Sequence, residues 1–161
     1  MSIHNEFINH PNSNLPDPAR LTILGAFFPI EVHVHPQIAQ ALTERGQPIP
    51  QPVEGAAVID TGAAVTCVHE PILEGVALNP IGVANLGTAA GLVQGRLYPV
   101  RIVFPTKGWT IDFTVVAGVN LTGQNVPLDP PQPIIALLGR NLLEHWILIW
   151  NGPGGYWSVA T

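Results

Sequence analysis

The sequence predicts an all-β domain, on two features of composition and one of pattern. Of its 161 residues, 17 are proline and 16 are glycine, and proline stands at about twice its usual share. Breakers at that density leave room only for short elements, which favours strands over helices. Apolar and polar residues alternate with period two from Ile30 to His35, the pattern of a half-buried strand. The length suits one domain with a sizeable core, and no internal repeat divides it.

Residues 1–19 read as an irregular, solvated arm and 20–161 as the folded domain. LTILGAFFPIEVHVHP carries the alternating strand, and Ile38 to Arg45 can form a short helix that GQPIPQP ends, because proline lacks the donor a helix interior needs. VEGAAVID and AAVTCVHE are β-rich runs on either side of Asp-Thr-Gly. IGVANLGTAAGLVQG is glycine-rich, with small residues where a core strand would have large ones. RLYPVRIVF and WTIDFTVVAGV are strands joined by the turn PTKG. NLTGQNVPLDPPQP is a loop. IIALLGRNLLEHW runs from a buried strand through glycine into a short helix, and ILIWNGPGGYWSV closes the chain as a hairpin.

Charged residues make up 11% of the chain and the net charge is −5. Usual soluble domains carry roughly 25% charged residues, so some apolar surface is expected to be covered by a partner. The six Lys and Arg are scattered, which argues against a nucleic-acid groove. The opening MSIHNEFINHPNSNLPDPAR lacks a basic start and an apolar core, and no apolar run approaches a membrane span. The expectation is a soluble, cytoplasmic protein without membrane contact. One cysteine, Cys67, permits no intrachain disulfide and no thiolate metal cage.

The sharpest feature is GAAVIDTGAAV, an apolar run that stops at Asp60. A buried acid is costly unless it is hydrogen-bonded or functional. At a strand tip, Gly62 allows a tight turn that brings backbone N–H groups to the carboxylate, Thr61 supplies a hydroxyl, and Ala63 adds no bulk. Alone, the triplet reads first as a side chain capping its own turn, as in an unrelated small-ligand barrel.

It is accompanied by a second pattern. AAVIDTGAAVTCV and IIALLGRNLLEHW together resemble the two signatures of the retropepsin-like aspartic proteases, the single-domain, retroviral-type relatives of pepsin. Between them, NLGTAAGLVQG is similar in composition to that family's glycine-rich flap, and FFPIEVHVHP to the strand before the catalytic one. The resemblance covers about residues 21–159. It implies a closed-barrel-like acid-protease domain with one short helix near Leu142. It also implies an aspartic endopeptidase that hydrolyses peptide bonds through general acid/base activation of water. Such an enzyme needs two carboxyls, and Asp17, Asp112 and Asp129 lack the following Thr-Gly or Ser-Gly. The expected site is therefore an Asp60/Asp60′ pair across the two-fold axis of a homodimer, acting on polypeptide without metal or cofactor. By resemblance, Asp60, Thr61 and Gly62 form the catalytic element, with Thr61 bonding across to the other subunit. Ala63 and the hairpin tip Leu86, Gly87, Thr88, Ala89, Ala90 and Gly91 would contact substrate. Apolar side chains are expected around the cleaved bond, and the optimum at mild acidity, because Ala63 brings no hydroxyl to the carboxylate. The alternative within the same fold is an inert dimerisation or peptide-binding module.

This chain also departs from the family pattern. Ala64 and Val65 stand where many viral members carry an acid that pairs with the arginine of Gly-Arg-Asn, which leaves Arg140 without an assigned partner. Pro36 to Pro52 is far longer than the viral turn, and GYWSVAT would supply interleaved terminal strands of the dimer. His33 and His35, two apart on a strand, face one side and read as an exposed strand face, since no third metal ligand accompanies them. His69 and His145 read as surface or helix-end residues, and Cys67 as a small buried hydrophobe. Trp109, Trp146, Trp150 and Trp157 read as core or interface, and Tyr98 is given no substrate role. Asn120-Leu121-Thr122 is a glycosylation sequon only in a secreted chain.

Overall fold

The structure, a computed structural model, describes residues 2–77, 79–88 and 91–161. Strands hold 48% of the chain and helices 17%, in keeping with the all-β expectation. Proline and glycine keep most pieces short, the longest being the strands Gly91–Phe104 and Trp109–Val119.

The barrel strands are β2 (Phe27–Val34), β3 (Val53–Ile59), β4 (Cys67–His69), β6 (Gly91–Phe104), β7 (Trp109–Val119) and β9 (Gln132–Leu138). Their order is β2-β3-β9-β4-β7-β6, and β2 pairs back onto β6 from Glu31↔Val103 to Val34↔Val100, closing six strands into a barrel. Closure removes the exposed sheet edges that invite aggregation. β3 and β9 run parallel, so their C-terminal ends arrive side by side at Ile59↔Leu138. β5 (Gly82–Thr88) pairs only with the first half of β6, and β8 (Asn125–Val126) pairs with β9.

β2 shows how sequence period becomes burial. Phe28, Ile30, Val32 and Val34 point inward and are buried, while Phe27, Pro29, Glu31 and His33 lie between them on the outer side. Phe28 stands edge-on to Trp157 (ring centroids 4.8 Å apart) and to Phe104 (5.4 Å), with Trp109 and Trp146 beyond. Edge-to-face packing of this kind adds to the area each ring buries. The cluster also joins the barrel to a second sheet made of β1 (Ile3–Phe7), β10 (Ile147–Asn151) and β11 (Tyr156–Ala160), in the order β1-β11-β10.

Three expectations need correction. The irregular arm contains β1, which pairs with β11 from Ile3↔Ala160 to Phe7↔Tyr156, and Glu6 is ion-paired with Lys107 of the β6–β7 turn. Its partner strand lies at the other end of the chain, so no local signal reveals it. The single short helix is joined by three more among the described residues. α4 (Arg140–Leu143) is the expected one, and α2 (Pro36–Glu44) occupies the proposed Ile38–Arg45 segment. α1 (Pro18–Leu24) and α3 (Glu70–Ala77) were not expected. α1 starts at Pro18 behind Asp17, whose side chain accepts the Arg20 N–H; α3 buries Leu73 and Val76, spaced i and i+3. Third, His35 is not on an exposed face: the chain turns there into α2 and the side chain is buried at the helix start. No helix among the described residues is long and apolar enough to cross a membrane.

Because the aromatic cluster holds the two sheets together, truncating its centre leaves a cavity neither sheet can close. Trp157→Ala is expected to destabilise the fold by about 3–5 kcal/mol, measured as a lowered midpoint in urea unfolding.

Candidate functional site

Asp60 is the first residue past β3. Its backbone N–H donates to Leu138 O (3.0 Å) at the end of the parallel neighbour β9. The carboxylate Oδ1 accepts the backbone N–H groups of Gly62 (2.9 Å) and Ala63 (3.2 Å). A Cβ on Gly62 would lie 3.0 Å from Oδ1, so glycine leaves room for the tight turn. Asp60 is half-buried, whereas Thr61 and Gly62 are exposed.

Gly139, Arg140 and Asn141 bracket this loop from the end of β9. The Arg140 guanidinium donates to Thr61 O (2.7 Å) and Gly62 O (3.0 Å). The Arg140 and Asn141 backbone N–H groups donate to Ala63 O (2.9 Å) and Ala64 O (3.1 Å). Asn141 Oδ1 accepts both the N–H (2.8 Å) and the hydroxyl (2.9 Å) of Thr66, and the Thr66 Oγ1 accepts the Gly139 N–H (3.1 Å). The missing acidic partner of Arg140 is thus replaced by two main-chain carbonyls. Glycine is required at 139, since a Cβ there would meet the Val65 backbone at 2.5 Å.

Asp60 opens into a cavity of about 560 Å³. Ala63, Val65, Cys67, Val119, Leu121 and Leu137 form its walls. Asn85, Leu86 and Gly87 of β5 form the roof. Asp60 is the one charged residue among the described lining. Gly95, across the hairpin from Ala84, makes the roof possible: a Cβ there would lie 2.4 Å from Leu86 Cδ1. The base of the hairpin is held to α3 by Arg96, whose guanidinium bonds Glu70 (2.8 Å) and Glu74 (2.7 Å). Tyr98, fully buried, donates its hydroxyl to the same Glu70 (3.3 Å).

Of the residues singled out from sequence, Asp60, Gly62, Ala63, Leu86 and Gly87 meet in this cavity. Thr61 does not: it faces a neighbouring hollow of about 600 Å³ with Arg140, Leu143 and Leu148. Thr88 and Gly91 pair at the hairpin end, and Ala89 and Ala90 lie outside the described residues. Val65, Cys67, Asn85, Val119, Leu121 and Leu137 were not anticipated as lining. The apolar alternation of AAVTCV could have flagged Val65 and Cys67. Val119 and Leu121 come from distant chain, so only the fold brings them in. The terminal strands also differ from the interleaved arrangement, because β11 already has β1 on one side and β10 on the other within its own chain.

No model of a known protein family matches this chain, and no curated protein matches it.

Two outcomes follow from this geometry. Asn141→Leu strands the Thr66 N–H and hydroxyl, and an unsatisfied buried donor costs about 1–3 kcal/mol; urea unfolding should register a loss of that size. Burial, with the Asp60 charge second, pushes the Cys67 thiol up to about 11 from 9.0. The thiolate is therefore about 100-fold scarcer near neutral pH than for an ordinary cysteine, and iodoacetamide alkylation of the folded protein at pH 8 should be slowed accordingly.

Proposed function

We propose that this chain is an aspartic endopeptidase whose active centre forms when two copies bring their Asp60 carboxyls together. The observation that carries this reading is a carboxylate fixed at a strand tip by the Gly62 and Ala63 N–H groups, set in an apolar cavity under a hairpin. A single carboxylate cannot act as base and acid at once, and each chain has one Asp-Thr-Gly. A two-fold pair supplies both roles. Two carboxyls about 3 Å apart cannot both stay ionised, so the pair shares a proton.

In the reaction, the ionised member takes a proton from a water molecule while that water attacks the peptide carbonyl. The protonated member hydrogen-bonds the developing oxyanion. Transfer of a proton to the departing nitrogen then breaks the C–N bond, leaving a new carboxyl and a new amine. The roof formed by Asn85, Leu86 and Gly87 would keep bulk water out during these steps. The aliphatic walls favour apolar side chains beside the cleaved bond.

The second copy docks, on this reading, over the hollow of Thr61, Leu143 and Leu148. β10 borders it, has one strand neighbour, and exposes Ile147, Ile149 and Trp150. The alternative is an inert dimerisation or peptide-binding module with the same groove, in which the Asp60 hydrogen bonds to Gly62 and Ala63 only cap the turn.

Cleavage of a denatured protein mixture at pH 4–7 tests the reading. Asp60→Asn at matched dimer concentration should lose at least ~100-fold of the activity while its fold and its dimerisation are retained. Equal cutting by both proteins would end the catalytic reading. Cutting by neither, with a peptide held intact, would establish the binding module instead.

A further inference from the structure

Val119 and Leu121, which both line the Asp60 cavity, are held in different ways. Val119 ends β7 and is paired in register with His69 of β4. Leu121 lies two residues past the strand, where no ladder fixes it. Its backbone N–H is donated instead to Nδ1 of His69, at 3.1 Å. Within the loop, Thr122 N–H bonds Asn120 Oδ1 (2.9 Å) and Gln124 N–H bonds Leu121 O (3.0 Å). The far end of the loop is fastened by Ile134 N–H to Gln124 O (2.9 Å), and His69 fastens the near end.

An imidazole nitrogen accepts a hydrogen bond only when it carries no proton. Neutral His69 can do so with its proton on Nε2, whereas the imidazolium has N–H groups at both positions. Protonation therefore replaces an attraction at Leu121 with two N–H groups facing each other. We infer that His69 is a positioning residue for the wall formed by Val119 and Leu121, and that it holds this wall for an apolar peptide side chain only while its ring is neutral. The peptide part of this inference rests on the function proposed above.

Among the described residues, the strands that pair with β4 bring no charge to His69. β7 brings Ala117, Gly118 and Val119 against β4, and β9 brings Ala136 and Leu137, none of them ionisable. The hollow on the other side of His69, lined by Pro50, Gln51, Pro71 and Ile72, contributes no charged side chain from its described lining. Along the chain, Cys67 is kept as the thiol by burial. Glu70 is engaged by Arg96 and Tyr98. Asp60 lines the same cavity as Val119 and Leu121.

Two measurements test the inference. In the first, ¹⁵N NMR of the wild-type protein between pH 5 and 8 reads the ring directly. Neutral His69 should carry its proton on Nε2, and the Leu121 amide signal should shift with the same midpoint as the imidazole. A proton on Nδ1, or a Leu121 amide indifferent to that titration, overturns the inference and leaves the proposed function standing. In the second, a labelled hexapeptide with leucine on both sides of a reduced, uncleavable bond is titrated against wild type, H69N and H69L at pH 7.5 and pH 5. The asparagine carbonyl accepts at either pH, and leucine at neither. Loss of one hydrogen bond corresponds to a roughly 3–10-fold weaker affinity. Wild type should match H69N at pH 7.5 and fall by that factor relative to it at pH 5, and H69L should be weaker than H69N at both. A constant ratio of wild type to H69N, or H69L binding as tightly as wild type at pH 7.5, overturns the inference. A Leu121 amide that tracks the ring while no variant binds the peptide overturns the peptide-groove reading, and the inference in its stated form with it.

Discussion

The carbonyls of Thr61, Gly62, Ala63 and Ala64 leave the sheet where β3 ends, and the chain at Arg140 and Asn141 receives them. Backbone groups that lose their ladder partners must find others, and here one three-residue bracket satisfies a whole loop. The parallel pairing of β3 with β9 makes this possible, because it delivers Ile59 and Leu138 side by side and puts Gly139 against the Val65 backbone. The direction of the Asp60 carboxylate, the position of Ala63 in the cavity wall and the start of α4 all follow from that bracket.

Part of this was legible in the residues. Asp-Thr-Gly between two apolar runs implies a turn at a strand tip, and Gly-Arg-Asn after a buried run implies a strand ending in a short helix. Both are found where the sequence puts them. Their mutual hydrogen bonds were not legible, since nothing local marks main-chain carbonyls as the acceptors for Arg140. Nor were β1 and α3. β1 takes its strand character from β11, at the far end of the chain. α3 is eight residues long and contains Pro71 and Gly75, so its helical signal is weak and its stability comes from burying Leu73 and Val76. Of the glycine-rich hairpin that the resemblance implied, Leu86 and Gly87 line the cavity, and one of its glycines has a specific reason: Gly95 leaves the space that Leu86 fills.

The scarcity of charge also has a local expression. In the terminal sheet, register places Ile3, Ala160 and Ile147 in one row, and Asn5, Ser158 and Ile149 in the next. Ile3, Ile147 and Ile149 are each at least half exposed, and neither row holds an ionisable side chain. The opposite face carries Trp157 and Val159 into the core. An outer face with exposed isoleucines and no charge in these rows departs from the usual solvated outer surface of an antiparallel sheet.

β6 belongs to two structures at once. From Val100 to Phe104 it is a stave of the barrel, held by β2 and β7; from Gly91 to Arg96 it pairs with β5 alone. The change of role coincides with a register shift against β7 between Tyr98 and Val100, an irregularity of the kind that bends a strand and increases its twist. Beyond the irregularity only Leu97 and Tyr98 still pair with β7, so the hairpin over the carboxylate is carried by two ladder pairs and by the bonds of Arg96 and Tyr98 to α3.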